Sequence, residues 1–77
     1  MMKTWLESTI CELVDHPEDV HISAISGERT AVFEVRCHPD DVGKVIGRNG
    51  KTIGAMRTLL GTLAARQKRQ AVLEVAE

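Results

Sequence analysis

The sequence predicts an α+β fold in which three helices cover one face of a three-stranded sheet. Three observations predict it: apolar residues at helical spacing near the start, two segments of apolar–polar alternation, and two more helical patterns before a last alternating segment. The elements therefore follow the order helix, strand, strand, helix, helix, strand. The 77 residues contain no recognisable linker, repeat or low-complexity segment, so we expect one domain over residues 1–77.

The first part of the chain predicts one helix and two strands. The helix runs from Met2 to Val14 and ends before Pro17, because the residue preceding a proline is disfavoured in helical conformation. A turn at Ser26-Gly27-Glu28 separates the two strands. The residues predicted to face the core are Leu6, Ile10, Leu13 and Val14 in the helix, Val20, Ile22 and Ala24 in the first strand, and Ala31, Phe33, Val35 and Cys37 in the second.

The second part predicts two helices and a final strand. Pro39-Asp40-Asp41 opens a short helix, since proline suits the first helical position and acidic residues suit the first turn. That helix stops at Gly47, and the next one runs from near Gly50 to about Gln67. The inward residues are Ile53, Met56, Leu60, Leu63 and Ala64 in the long helix and Ala71, Leu73 and Val75 in the strand.

Basic and acidic residues are segregated along the chain, although the net charge is only −1. Residues 1–41 carry three basic residues against nine carboxylates, a balance of −6, whereas residues 42–73 carry seven basic residues and no carboxylate. A local basic surface of this kind attracts a polyanion such as a nucleic acid. The alternative is a solvated helix face that happens to be basic.

The two cysteines and the hydropathy pattern indicate the compartment. Cys11 and Cys37 lack a Cys-x-x-Cys spacing and fall at apolar positions, which favours reduced cysteines in a core over a disulfide. The first residues lack the apolar run of a signal peptide, and no apolar stretch approaches the ~20 residues that a membrane span needs. We therefore expect a cytoplasmic protein.

The most informative motif is Gly47-Arg48-Asn49-Gly50, which lies between the two predicted helices and is followed by Lys51. Glycines allow a backbone to approach a ligand closely and to adopt dihedral angles that a Cβ disfavours. A helix that begins beside such a loop directs unpaired N–H groups and a partial positive charge at it. With Arg48 and Lys51 adding full charges, a phosphodiester backbone is the expected ligand. Asn49 either contacts that ligand or caps the helix.

Enzymatic and other nucleotide-binding interpretations fit the residues poorly. A nucleotide-hydrolase phosphate loop ending in Gly50-Lys51-Thr52 requires glycine at position 45, where this chain has Val45, and a buried strand just upstream. The serines lack an evident base, and the histidines do not combine with the cysteines at zinc spacing. Phe33 is the only phenylalanine and tyrosine is absent, which excludes a sheet of base-stacking aromatics. We expect neither catalysis nor a metal or cofactor.

The run from Val45 to Ile53 resembles the signature of the KH domain, a module that binds single-stranded RNA and DNA. Residues 13–20, 39–47 and 56–60 extend the similarity to the small stand-alone bacterial KH proteins of the KhpA (YlqC) family. This resemblance implies the type II KH fold, in which the Gly-x-x-Gly loop clamps about four nucleotides by their backbone. The RNA-contact residues that we predict are Gly43, Lys44, Ile46, Gly47, Arg48, Asn49, Gly50, Lys51 and Arg57.

Bases are expected to rest in a shallow groove of apolar and small residues. Gly43 is the best candidate for close contact with a base, whereas Ile46 and Ile53 could equally belong to the core. The candidates for the groove floor are Val42, Gly43, Val45, Ile46 and Ile53.

A stripe of small residues on the last helix indicates a possible association surface. Two glycines inside a helix cost about 1 kcal/mol each relative to alanine, and a small domain gains from association. The stripe could admit a second copy of the chain, or it could be exposed, or its glycines could relieve crowding within the monomer. Its members are Gly54, Thr58, Gly61 and Ala65.

The resemblance implies an RNA chaperone or post-transcriptional regulator that acts as a homodimer or with a larger KH protein of the KhpB (Jag/EloR) type. Two alternatives remain at this point. The fold could serve mainly as a protein-interaction or dimerisation module with incidental RNA contact, or the protein could be a ribosome-assembly factor.

Overall fold

The computed structural model describes residues 2–76, and its elements follow the predicted order. Helices α1, α2 and α3 span Met2–Leu13, Val42–Ile46 and Lys51–Arg66. Strands β1, β2 and β3 span His21–Ser26, Thr30–Arg36 and Gln70–Val75, and short 3₁₀ turns lie at Pro17–Asp19, Pro39–Asp41 and Arg48–Gly50. The predicted α+β class and element order are confirmed, while single boundaries shift by one to three residues.

The sheet has the order β1-β2-β3, with β1 antiparallel and β3 parallel to the central strand. Phe33 in β2 lies opposite Ala24 in β1 and Leu73 in β3. The parallel pair requires a crossover connection, and α2 and α3 provide it. In β3, the N–H of Gln70 donates to the Arg29 carbonyl (2.7 Å), and the N–H of Ala76 just beyond the strand donates to the Val35 carbonyl (2.8 Å). Because strand residues alternate, the carbonyl of Leu73 lies on the open outer edge of the sheet.

The core lies between the helices and one face of the sheet, as predicted. Leu6 and Ile10 of α1 and Leu60 of α3 are fully or almost fully buried there. Two predicted core residues are exposed, Leu13 (38%) and Ala24. Five others are only half-buried: Val20, Cys37, Leu63, Ala71 and Val75. The buried sheet residues are Ile22, Ala31, Phe33, Val35 and Leu73.

The two cysteines, Cys11 and Cys37, are free and half-buried in the structure. Burial raises the pKa of the Cys37 thiol, with a smaller contribution from the nearby Asp41 carboxylate.

Within residues 2–76, none of the helices combines the length and the apolar character needed to cross a membrane.

Candidate nucleic-acid interface

The loop between α2 and α3, residues Gly47 to Gly50, is held in a conformation that depends on glycine. Gly47 has φ 79° and ψ 167°, a region of backbone space that is essentially restricted to glycine. A Cβ on Gly47 would lie 2.6 Å from Cβ and 2.8 Å from the backbone nitrogen of Thr52. The first turn of α3 therefore packs directly against the Gly47 backbone, and no larger residue fits between them.

Two further residues of this Gly47–Gly50 loop have the left-handed helical backbone conformation. Asn49 has φ 57° and ψ 26°, and Gly50 has φ 72° and ψ 17°. Asparagine is one of the few residues that adopts this conformation readily. Gly50 occupies the N-cap position of α3, and no side chain forms a capping hydrogen bond there. The capping role considered for Asn49 is therefore wrong, and its conformational tolerance accounts for its place in the loop.

Only some of the loop amides are free to bind a ligand. The N–H of Gly47 donates to the Gly43 carbonyl (2.8 Å), and the N–H of Gly50 donates to the Gly47 carbonyl (3.1 Å). The N–H of Lys51 donates to the Arg48 carbonyl. The N–H groups of Arg48 and Asn49 lie at the start of this helical turn, where the first N–H groups have no carbonyl partner within the helix. The anion-binding capacity of the loop backbone is thus centred on these two amides.

The basic side chains near the loop differ in their surroundings. Arg48 and Lys51 are exposed, and within residues 2–76 neither forms an ion pair. Lys44, which the sequence also predicts as an RNA contact, directs its ammonium group at the carboxylates of Asp15 and Asp41. The ion pair with Asp15, through its hydrogen bond, raises the pKa of Lys44. Arg48 and Lys51 therefore offer uncompensated charge beside the loop, whereas the charge of Lys44 is largely compensated.

Arg57 takes a different position from the one expected for a phosphate contact. Its Nε and Nη2 donate to the Leu73 carbonyl at 3.2 and 3.1 Å, so the side chain joins α3 to the open edge of β3. Arg57 as a whole is nevertheless exposed.

The proposed groove floor divides into core and surface residues. Val45 is fully buried and Ile53 is 6% exposed, so both belong to the core and cannot contact a base. Val42 and Ile46 are half-buried, and Gly43 is exposed. A Cβ on Gly43 would meet no atom within 4 Å, so the monomer itself does not require glycine there. Val42, Gly43 and Ile46 are the residues that remain available to a base.

A buried carboxylate immediately before α2 was not anticipated from the sequence. Asp41 is fully buried and accepts hydrogen bonds from the backbone N–H groups of Asp15 (3.3 Å) and His16 (3.0 Å) and from Nδ1 of His16 (3.0 Å). The two His16 donors contact Oδ2, whereas the Asp15 amide and the Lys44 ammonium (3.5 Å) contact Oδ1. The ring of His38 stacks on that of His16 with centroids 4.0 Å apart. This Asp41 cluster ties the end of α1 to the start of α2.

The pKa values of the Asp41 cluster follow from these contacts. Burial raises the pKa of Asp41, but hydrogen bonds from the His16 side chain and from the two backbone amides outweigh it and lower the pKa to about 2. The hydrogen bond to Asp41 raises the pKa of His16, although partial burial opposes the change. The sequence pattern places Asp41 in a first helical turn and leaves His16 just beyond the end of α1. Those local patterns carry no signal for a contact that spans 25 residues.

Comparison with known protein families gives a match along almost the whole chain. The sequence model described as "KhpA/KhpB, KH domain" matches residues 3–75. The chain belongs to the KhpA/KhpB KH-domain family. Three relatives, each named RNA-binding protein KhpA, show how far the similarity extends. The protein of Streptomyces coelicolor is 44% identical over 75 residues, which cover 97% of this chain and 95% of that protein.

Two other relatives match along almost their whole length. The Chlamydia caviae protein is 43% identical over 76 residues, covering 99% of this chain and 97% of that protein. The Halalkalibacterium halodurans protein is 41% identical over 76 residues, covering 99% of this chain and 100% of that protein. No solved structure matches significantly. The family suggested by the Val45–Ile53 run is thereby confirmed.

Proposed function

We propose that this chain binds single-stranded or locally unpaired RNA by placing phosphates on the Gly47–Gly50 loop. The observation that carries the proposal is the combination of two free amides, at Arg48 and Asn49, with two unpaired charges, at Arg48 and Lys51. Charge-assisted hydrogen bonds of this kind are the strong ones in phosphate recognition. The relatives named as RNA-binding proteins support the choice of RNA as the polyanion.

The contacts available to RNA imply weak binding by one copy. A KH loop grips about four nucleotides, and the structure offers a small exposed surface beside it. A second domain on the same RNA would raise the apparent affinity without any new contact. We therefore propose that the protein acts as an RNA chaperone or post-transcriptional regulator, as a homodimer or with a KhpB-type KH protein.

The salt dependence of RNA binding tests the phosphate contacts. For a single strand, log affinity falls by about 0.7 per log unit of salt for each phosphate contacted. Lys51→Gln should reduce the steepness of this slope by up to about 0.7, the value of one phosphate contact, since the Lys51 charge is free. The matched variant Lys44→Gln should reduce it less, because Asp15 and Asp41 already neutralise Lys44.

Fluorescence polarisation with a labelled six-nucleotide RNA provides both slopes. A wild-type slope near zero would overturn the proposed phosphate contacts. Absence of RNA binding in a protein that associates with itself would instead favour the protein-interaction module.

The small-residue stripe of α3 supports association with a second copy. A Cβ on Gly54 or Gly61 would meet no atom within 4 Å, so crowding within the monomer does not explain either glycine. That alternative from the sequence analysis is wrong. Thr58 uses its hydroxyl to bond the Gly54 carbonyl at 3.0 Å, which leaves its methyl group at the surface. A flat helix face of this kind allows another backbone to approach closely.

Gly61→Glu should abolish self-association without unfolding the monomer, because a charged side chain would occupy the contact surface. The substitution could also increase helix stability by up to ~1 kcal/mol, since glycine is a poor helix former. Ala55→Glu adds the same charge to an exposed position on another face of α3 and serves as the control. Sedimentation velocity without RNA measures the association. A monomeric wild type, or equal association of both variants, would contradict this part of the proposal.

A further inference from the structure

Arg57 changes the hydrogen-bonding character of the open edge of β3. An uncovered Leu73 carbonyl on that edge would accept a hydrogen bond, for example from the amino group of a base. Arg57 Nε and Nη2 already donate to this carbonyl at 3.2 and 3.1 Å. The edge therefore presents donors at the point where the strand alone would present an acceptor.

The guanidinium retains enough donors to bind a ligand at the same time. Arginine has five N–H groups in one plane, and the Leu73 carbonyl occupies two of them. Among residues 2–76, no other acceptor bonds the Arg57 side chain, which is exposed. The unused donors, two on Nη1 and one on Nη2, form a planar fork that matches two adjacent acceptors.

The position of Arg57 is within reach of a strand held by the Gly47–Gly50 loop. Arg57 follows Lys51 by six residues, which is about 9 Å along the helix. Four stacked nucleotides extend over about 14 Å. A base of the bound RNA can therefore lie against the guanidinium while the loop holds the backbone. The inference that follows rests on the proposed RNA-binding function.

We propose that Arg57 selects, at one position of the bound RNA, a base with two adjacent hydrogen-bond acceptors. Guanine offers O6 and N7, and cytosine offers O2 and N3. Adenine places its amino donor beside N1 and N7, and uracil separates its two carbonyls by an N–H group, so neither matches the fork. The structural contact with Leu73 fixes the plane of the guanidinium and so holds the fork ready for binding.

The test compares the hexamers (UG)₃, (UC)₃ and (UA)₃. Because the varied base occupies every second position, half of the possible binding registers place it beside Arg57. Wild-type protein should bind (UG)₃ and (UC)₃ about five- to tenfold more tightly than (UA)₃, the lower end of what a bidentate contact provides. Arg57→Lys keeps the charge but loses the fork, so this ratio should fall towards one while the salt slope stays unchanged. Arg57→Met uncovers the Leu73 carbonyl, so (UA)₃ should gain relative to (UG)₃.

The outcomes separate this inference from the function on which it rests. If Arg57 only ties α3 to β3, its replacement will weaken all three hexamers equally, and an unchanged ratio overturns the inference. A wild-type ratio near one overturns it as well, and leaves RNA binding intact. Failure of wild type to bind any hexamer overturns the proposed function and this inference together. Thermal unfolding of each variant confirms that the compared proteins are folded.

Discussion

Gly47→Ala should destabilise the protein by about 3 kcal/mol or more, whereas Gly50→Ala should cost only about 1–2 kcal/mol. Both glycines have positive φ, but their surroundings differ. At Gly47 a Cβ would lie within 2.8 Å of the Thr52 backbone nitrogen, and ψ of 167° places the residue where only glycine is stable. At Gly50 a Cβ would meet no atom within 4 Å, so only the left-handed conformation is unfavourable.

Urea unfolding of the two alanine variants measures this difference, since the unfolding free energy varies linearly with denaturant. If the Gly47–Gly50 loop rearranges locally instead of lowering global stability, Gly47→Ala will fold normally but lose RNA affinity, and Gly50→Ala will keep it. Equal behaviour of the two variants in both measurements would show that the packing of Gly47 on Thr52 is not required.

The double substitution Arg48→Asp with Asn49→Asp should reduce RNA affinity about 100-fold or more, which corresponds to roughly 2.7 kcal/mol. Two carboxylates would then stand beside the free amides and repel phosphate at the start of α3. The fold should persist, because both side chains are exposed and aspartate, like asparagine, tolerates the left-handed conformation of residue 49.

A control of equal charge change separates the loop from the general basic surface. Arg66→Asp with Gln67→Asp alters the net charge by the same amount at exposed positions at the far end of α3. Circular dichroism and an RNA titration on each sample complete the comparison. Similar losses in both double variants would indicate that the basic tract of residues 42–73 binds RNA without a defined loop site.

Elements with strong periodicity were predictable from the sequence, and so was the loop. Apolar alternation located β2, and helical spacing located α3, because both patterns reflect burial of one face. The Gly-x-x-Gly spacing located the loop between α2 and α3, because each of its glycines has a positive φ. The end of α3 was predicted to within one residue, although Lys68 adopts the left-handed φ of 57° just beyond the helix, where glycine is the usual signal.

The long-range polar contacts could not be predicted. Lys44 and Arg57 are predicted as RNA contacts because they lie in the acid-free segment, and this pattern does not report the contacts that they also make within the fold. The structure pairs Lys44 with carboxylates of another part of the chain and places Arg57 on a strand carbonyl. Such partners depend on the tertiary arrangement, and neither residue type nor sequence spacing reports them.

The contacts of the Asp41 cluster, which connect the end of α1 to the start of α2, stabilise the protein most over a limited pH range. The folded-state pKa of Asp41 is lowered to about 2 from 3.8, so its contribution is present above the unfolded value and is lost as the pH falls through the folded value. The pKa of His16 is raised above 6.5, so its contribution is complete below 6.5 and is lost as the pH rises through the folded value. Both contributions to stability are therefore complete together between about pH 4 and pH 6.5, the unfolded-state values of the two groups. Because Asp41 directly precedes the helix that leads into the Gly47–Gly50 loop, we expect alkaline conditions to weaken the anchoring of this loop before they affect the hydrophobic core.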